Sequence, residues 1–357
     1  MKVPRLLFVT DAPDVGGSEV YLRELLPPLR QLGYDAQVAL PALPGTATLR
    51  AQMEASGVPV HAYASLSELP SAFDLYLLSS WNPRGHGKFF RALPGPFAAV
   101  VHDQLMLHIP GLPQAIYRAG YEWLQAGDLR RAGQVITVSR WGAEYLRSHH
   151  RLPHTWAVPN GVNEQIFRPA SPEERTELRQ KNGFGRFTVL VPARLSPEKN
   201  HFAVLATARR CPDLDFVLVG SGVLERPLKR FAPPNVRFLG RRDDMPGLYR
   251  AADVVFQPTI AENQSLATLE ALASGTPVVT NDIPAQQELI AHGQNGLLVG
   301  NGPRGYAAAL KRLADRPDLL ERMRPLARAS VLDGHTLSQN VQAFEAVLRE
   351  ILAESRP

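Results

Sequence analysis

A chain of 357 residues is more than one hydrophobic core comfortably serves, so length alone argues for two domains with a cleft between them. Apolar residues make up 45% and charged residues 20%, without a long polar tract, which excludes a disordered or fibrous protein. The net charge is +5, with 33 Arg against 6 Lys, and the one cysteine, Cys211, excludes an internal disulfide and any cysteine-rich metal site.

In chain order, the first apolar run, LLFV after Arg5, is too short for a signal-peptide core and reads as a buried strand. Further strands are expected at AQVAL, VPVHAY, LYLLSS, AAVVHD and QVITVS, with helices at EVYLRELLPPLRQLG, ending at Gly33, and at RWGAEYLRSHH. A polar stretch with Pro169 and Pro172, Asn163–Gly185, precedes a fresh strand-first pattern: FTVLVPAR, DFVLVGSG, VRFLGR, DVVFQP, TPVVTN and GLLVG. Near-continuous apolar strands alternating with helices imply parallel sheets covered on both faces, so each half is expected to be an α/β, doubly wound, Rossmann-like domain. The expected division is 1–165, 166–335 and a closing amphipathic helix in 336–357, with apolar Leu337, Val341, Phe344, Val347, Leu348 and Ile351. No window approaches the roughly 20 apolar residues that a membrane span needs.

Charge is unevenly distributed. Leu75 to Asn160 holds nine Lys/Arg, four Asp/Glu and six His, whereas Met1 to Asp74 holds five basic and eight acidic residues. Such a basic region suits an anionic membrane surface or a phosphorylated acceptor, or is a solvated Arg-rich face. Basic residues are not interleaved with exposed aromatics in any run resembling a stacking platform, which argues against nucleic acid.

Two glutamates, Glu262 and Glu270, lie eight residues apart in AENQSLATLEALASGTPVVT. A hydrolytic pair must flank one bond at about 5–9.5 Å, whereas eight helical residues span about 12 Å. With Glu262 in the loop after DVVFQP and a helix beginning near Ser265, the two would touch different parts of one extended ligand. A helix start at a strand's carboxyl end suits phosphate. Arg194 and Lys199, in VPARLSPEKN, can clamp phosphate oxygens, or are a solvated surface pair.

Taken in order, these segments resemble the retaining nucleotide-sugar glycosyltransferases of family four, with the two-domain GT-B fold. The resemblance is carried by TDAPDVGGSEVYLRELLPPLRQLGYD, VVHD, QVITVSRWGAEYL, VPNGVNEQIF, VPARLSPEKN, LVGSG and ENQSLATLEALASGTPVV, the last with the family's Glu-x7-Glu spacing. It implies that Glu270 holds the ribose of the donor nucleotide. It assigns Glu262, and the backbone through Asn263, Gln264, Ser265 and Leu266, to the donor sugar, and Arg194 and Lys199 to the diphosphate. Gly16 and Gly17 would let amides approach phosphate, and His102 would lie beside the reacting sugar. Relatives usually carry Glu-Gly-Phe-Gly where this chain has Glu262-Asn263-Gln264-Ser265, which implies an altered donor pocket.

The implied function is transfer of a sugar from a nucleoside-diphosphate sugar, a co-substrate rather than a cofactor, to an acceptor hydroxyl. Anomeric configuration would be retained and no metal required. The Asp213-Leu214-Asp215 run leads into the start of a strand, away from the ligand edge, so it is not read as a metal site. The acceptor would be a glycan, a lipid-linked molecule or a small metabolite, and the setting cytoplasmic, with membrane contact through residues 75–160. Alternatives are a non-catalytic sugar-nucleotide or glycan-binding protein and a GT-B epimerase. An oxidoreductase lacks its Gly-x-Gly-x-x-Gly here.

Overall fold

In the computed structural model of the chain, residues 3–82, 85–102, 104–109, 111–300 and 302–354 are described. Asp103, of the Val-Val-His-Asp run, therefore lies outside the described residues, as do Pro83, Arg84 and Pro110 of the basic region. Contacts divide the chain into two compact units: Met1–Met106 with Pro110–Asn160 and Leu337–Pro357, and Leu107–Ile109 with Gly161–Thr336.

The first unit is built on β1 (Arg5–Thr10), β2 (Asp35–Pro41), β3 (Val60–Tyr63), β4 (Leu75–Ser79), β5 (Phe97–Val101), β6 (Gln134–Thr137) and β7 (Thr155–Ala157). These strands pair in parallel in the order β3-β2-β1-β4-β5-β6-β7, with Val9 opposite Ala39 on one side and Leu78 on the other. Every residue of β4 is buried, as befits a central strand covered on both faces. β7 is the strand absent from the sequence reading, because three residues, Thr-Trp-Ala, carry no apolar run. Its Trp156 Nε1 donates to Gln134 Oε1 at 2.7 Å beside β6.

The closing helix, Leu337–Glu354, belongs to this first unit, burying Val341, Phe344, Val347, Leu348 and Ile351. The Phe344 ring lies 6.0 Å from Phe8 of β1, and Tyr34 Oη donates to Glu345 Oε1 at 3.0 Å.

The second unit carries β8 (Thr188–Pro192), β9 (Asp215–Val219), β10 (Val236–Phe238), β11 (Val254–Gln257), β12 (Val278–Asn281) and β13 (Gly296–Val299), all parallel, in the order β10-β9-β8-β11-β12-β13. The chain is thus α/β, with two doubly wound Rossmann-like sheets. In each, strand order reverses beside the first strand: between β1 and β4, and between β8 and β11. Ligands of such sheets bind outside the carboxyl ends of the strands at that reversal. Among the described residues no helix is long and apolar enough to cross a membrane.

His201 opens the helix His201–Ala208 and is wholly buried, which pushes its imidazole down to about 4 from the ordinary 6.5. Below pH 6.5 the unfolded chain binds a proton that the folded chain refuses until about pH 4, so this group makes stability fall as pH drops through that window. We predict that His201→Leu flattens the stability profile between pH 6.5 and 5 by up to about 1.4 kcal/mol per pH unit, read from urea midpoints.

Candidate active site

Beyond the carboxyl end of β8, the chain turns through Arg194 and Leu195 into a short 3-10 turn, Pro197–Lys199. That loop is tied to the one following β11. Ile260 N and Thr259 Oγ1 both donate to the carbonyl of Glu198, at 2.9 and 3.1 Å, and Asn200 Nδ2 donates to Pro258 O at 3.1 Å. These bonds bring together two side chains 63 residues apart. Lys199 Nζ lies 2.6 Å from Glu262 Oε2, with the side chains only 15% and 11% exposed. Arg194, on the same loop as Lys199, is half-exposed, its Nη2 3.7 Å from Glu198 Oε1.

The turn after β9 fits against this loop because of its glycines. Gly220 has φ +136°, and a Cβ on it would stand 2.2 Å from Ala193 O, next to Arg194. Any side chain there would drive the loop carrying Arg194 outward.

Asn263, Gln264 and Ser265 are buried and Leu266 is half-buried. Ser265 caps the helix Leu266–Ala273, its Oγ accepting from Thr268 N at 3.2 Å. Glu270 follows in that helix, half-buried, and its Oε2 accepts a 2.7 Å bond from Tyr249 Oη. The two glutamates thus meet different partners, a lysine and a tyrosine. Asp215, of the Asp-x-Asp run, begins β9 and accepts from Arg186 Nε at 3.0 Å.

The reversal point of the first unit has the opposite chemistry. Asp11, just past β1, accepts from Trp81 N at 2.6 Å, Asn82 Nδ2 at 2.7 Å and Ser80 Oγ at 3.1 Å. Glu19, fully buried in the first turn of the helix Gly17–Gln31, accepts from Ser18 Oγ at 2.9 Å and Gly16 N at 3.1 Å. Thr10 Oγ1 and Trp81 Nε1 donate to its other oxygen, each at 3.2 Å. Burial pushes the Glu19 carboxyl up, and the hydrogen bonds oppose it.

A Cβ at residue 16 would stand 2.4 Å from Trp81 Cζ2, so this glycine admits the chain's own indole. With the Gly16 amide engaged by Glu19, a phosphate at this loop would first have to displace a carboxylate. Asp11, Glu19 and Trp81 were missed from sequence. Only Glu19 left a signal there, as the acidic residue three positions after an N-cap.

His102 lies past β5, half-buried, its ring 5.1 Å from that of Tyr21. Burial pushes its pKa down to about 4, so the ring is neutral at pH 7. Its Nε2 is enclosed with no hydrogen-bond partner among the described residues. Gly16, Gly17 and His102 belong to the first unit, and Arg194, Lys199, residues 262–266 and Glu270 to the second.

Two Rossmann-like sheets, the second with cations and a paired glutamate at its reversal point, define the class of GT-B proteins. The family described as Glycosyltransferase Family 4 matches residues 15–166, and that described as Glycosyl transferases group 1 matches residues 186–316. The chain belongs to the family-four glycosyltransferases.

It is 29% identical over 230 residues to a GDP-mannose-dependent monoacylated alpha-(1-6)-phosphatidylinositol monomannoside mannosyltransferase of Corynebacterium glutamicum, covering 57% of this chain and 60% of that one. It is 30% identical over 243 residues to an Escherichia coli UDP-Gal:alpha-D-GlcNAc-diphosphoundecaprenol alpha-1,3-galactosyltransferase, covering 63% and 62%. The match thus spans less than two thirds of either relative.

Among solved structures, Anabaena Alr3699/HepE in complex with UDP and glucose is similar with a TM-score of 0.81 at 22% identity, over 97% of this chain and 100% of that one. Sucrose-phosphate synthase from Thermosynechococcus elongatus is similar with a TM-score of 0.82 at 17% identity, over 98% and 100%. At these identities the likeness concerns the fold.

Removing the Lys199 ammonium leaves a mostly buried carboxylate without its cation. We predict that Lys199→Met destabilises the protein by about 2 kcal/mol in urea unfolding, and that adding Glu262→Gln restores most of it.

Proposed function

We propose that this protein transfers a sugar from a nucleoside-diphosphate sugar to an acceptor hydroxyl, with retention at the anomeric carbon and without a metal ion. The observation that carries the reading is the Lys199–Glu262 pair, with Arg194 on the same loop facing Glu198, where the strand order of the second sheet reverses. Diphosphate chemistry suits the two cations. As its charge draws Lys199, Glu262 is released to hydrogen-bond the donor sugar.

During transfer the bond from anomeric carbon to phosphate oxygen breaks and the bond to the acceptor oxygen forms. The acceptor's proton passes to the departing phosphate. Fixed cations favour the charge that develops on the leaving group more than the ground state, which accelerates the step. Glu270 addresses the ribose. The buried Asn263, Gln264 and Ser265 shape a donor pocket unlike that of relatives with glycines there. Complexes of Alr3699/HepE with UDP-glucose, and with UDP and glucose, support a nucleotide-sugar donor.

A thermal-shift screen of UDP, GDP, ADP and their sugars tests this reading, since a ligand of the folded state raises the apparent stability. We expect one series to raise the melting temperature of the wild type and not that of Glu270→Ala, and the product's anomeric configuration, read by NMR, to match the donor's. An inverted product would refute retention. Binding without turnover would favour the non-catalytic alternative, and donor loss without acceptor an epimerase.

The acceptor side of the proposal includes an anionic membrane at the cytoplasmic face. The helix Leu112–Tyr121 and the π turn after it, Glu122–Ala126, expose Leu112, Ile116 and Trp123 at 72, 62 and 71%. Arg118 on the same helix is exposed, and Arg91, also exposed, lines one cavity with Trp123. Apolar side chains rimmed by cations suit the headgroup boundary, and two mannosyl- and galactosyltransferase relatives are named for lipid-linked acceptors. We predict that the protein floats with vesicles containing anionic lipid at low salt, and that Ile116→Ser/Trp123→Ser does not. No recovery of the wild type would remove the membrane from the proposal.

A further inference from the structure

Glu270 is held before any ligand arrives. Its Oε2 accepts from Tyr249 Oη at 2.7 Å, and that phenol sits on the helix Met245–Ala251, buried. The Tyr249 ring packs edge-on against Phe167, centroids 6.0 Å apart at 67°, and its carbonyl accepts from Thr276 Oγ1 at 2.8 Å. Leu248, Ala251 and Ala252 around it share one core with Leu269 and Leu272 of the helix that carries Glu270.

The phenol oxygen is therefore a point fixed by packing, whereas a glutamate side chain by itself is among the more mobile. The direction of the bond is set by chemistry, since an ionised carboxylate only accepts. Burial and the neighbouring Glu270 keep the proton on the tyrosine, its pKa raised well above the ordinary value. A carboxylate offers about four acceptor positions, of which the Tyr249 hydroxyl takes one.

We propose that Tyr249 is a positioning residue for nucleotide recognition: by holding one carboxylate oxygen of Glu270 it aims the remaining acceptor positions at the 2′- and 3′-hydroxyls of a ribose. The proposal rests on the ribose-binding reading of Glu270. Tyr249 itself touches no substrate. Its effect is preorganisation, so that the cost of ordering the glutamate is met in folding rather than in binding.

Calorimetric titration of the full chain with UDP and GDP, each beside its 2′,3′-dideoxy counterpart, tests this directly. In Tyr249→Phe, which keeps the ring and removes only the hydroxyl, we expect the better-bound ribonucleotide to weaken by about five- to tenfold and its dideoxy counterpart by less than about twofold. Equal weakening of both ligands would mean a structural role only, and no change in either would mean none. Either result overturns the proposal.

Glu270→Ala separates the two layers. If it abolishes the preference for ribose while Tyr249→Phe keeps it, the tyrosine is not the positioning group and Glu270 remains the ribose ligand. If Glu270→Ala keeps the preference, the reading of Glu270 fails and the proposal with it. Glu270→Asp, one methylene short of the phenol, gives a second route that does not require Tyr249→Phe to fold. We expect it to lose most of the ribose preference, and a retained preference overturns the proposal.

Discussion

The ion pair between Lys199 and Glu262 is the interaction on which the candidate site depends. Two opposite charges at 2.6 Å, largely out of water, gain Coulomb energy and give up hydration, so neither charge is comfortable there without the other. The loops that carry them are joined by backbone and side-chain bonds to the carbonyls of Glu198 and Pro258, so the pair is built into the unit. A ligand can replace it only by supplying both an anion for the lysine and a hydrogen-bond donor for the glutamate. An activated sugar, with a diphosphate at one end and hydroxyls at the other, has both.

The two sheets share a topology and differ in the chemistry at their reversal points. In the first unit, Asp11 and Glu19 gather hydroxyls, amides and the Trp81 indole into a closed network. In the second, Arg194 and Lys199 stand at the corresponding edge, each facing a carboxylate, Glu198 and Glu262. Equivalent folds thus carry different side chains at the same edge, while the glycines at the two turns serve packing. Gly16 accommodates an indole, and Gly220 accommodates the carbonyl of Ala193.

Much of this was open to reading in one dimension. Strands buried on both faces are continuous apolar runs, so β1, β4, β8 and β11 were visible as such, and a helix beginning near Ser265 was legible as a run of small apolar residues. β7 was not visible, since three residues at a sheet edge gain their conformation from β6. Arg194, Lys199, Glu262 and Glu270 stood out by residue type and spacing. Their partners did not, because the bonds from Lys199 to Glu262 and from Tyr249 to Glu270 span 63 and 21 residues.

By itself the sequence determined the alternation of strand and helix, and with it parallel sheets whose carboxyl ends carry the loops, because periodicity and apolar runs are local properties of the chain. It also supplied the glutamates, the cations and the glycines. Only the tertiary structure decided which charge meets which: that Lys199 neutralises Glu262, that Tyr249 holds Glu270, and that Glu19 rather than an anion takes the amide of Gly16. The reason is physical. Pairing depends on the distance and desolvation left once the strands have aligned, and those quantities exist only in the folded chain.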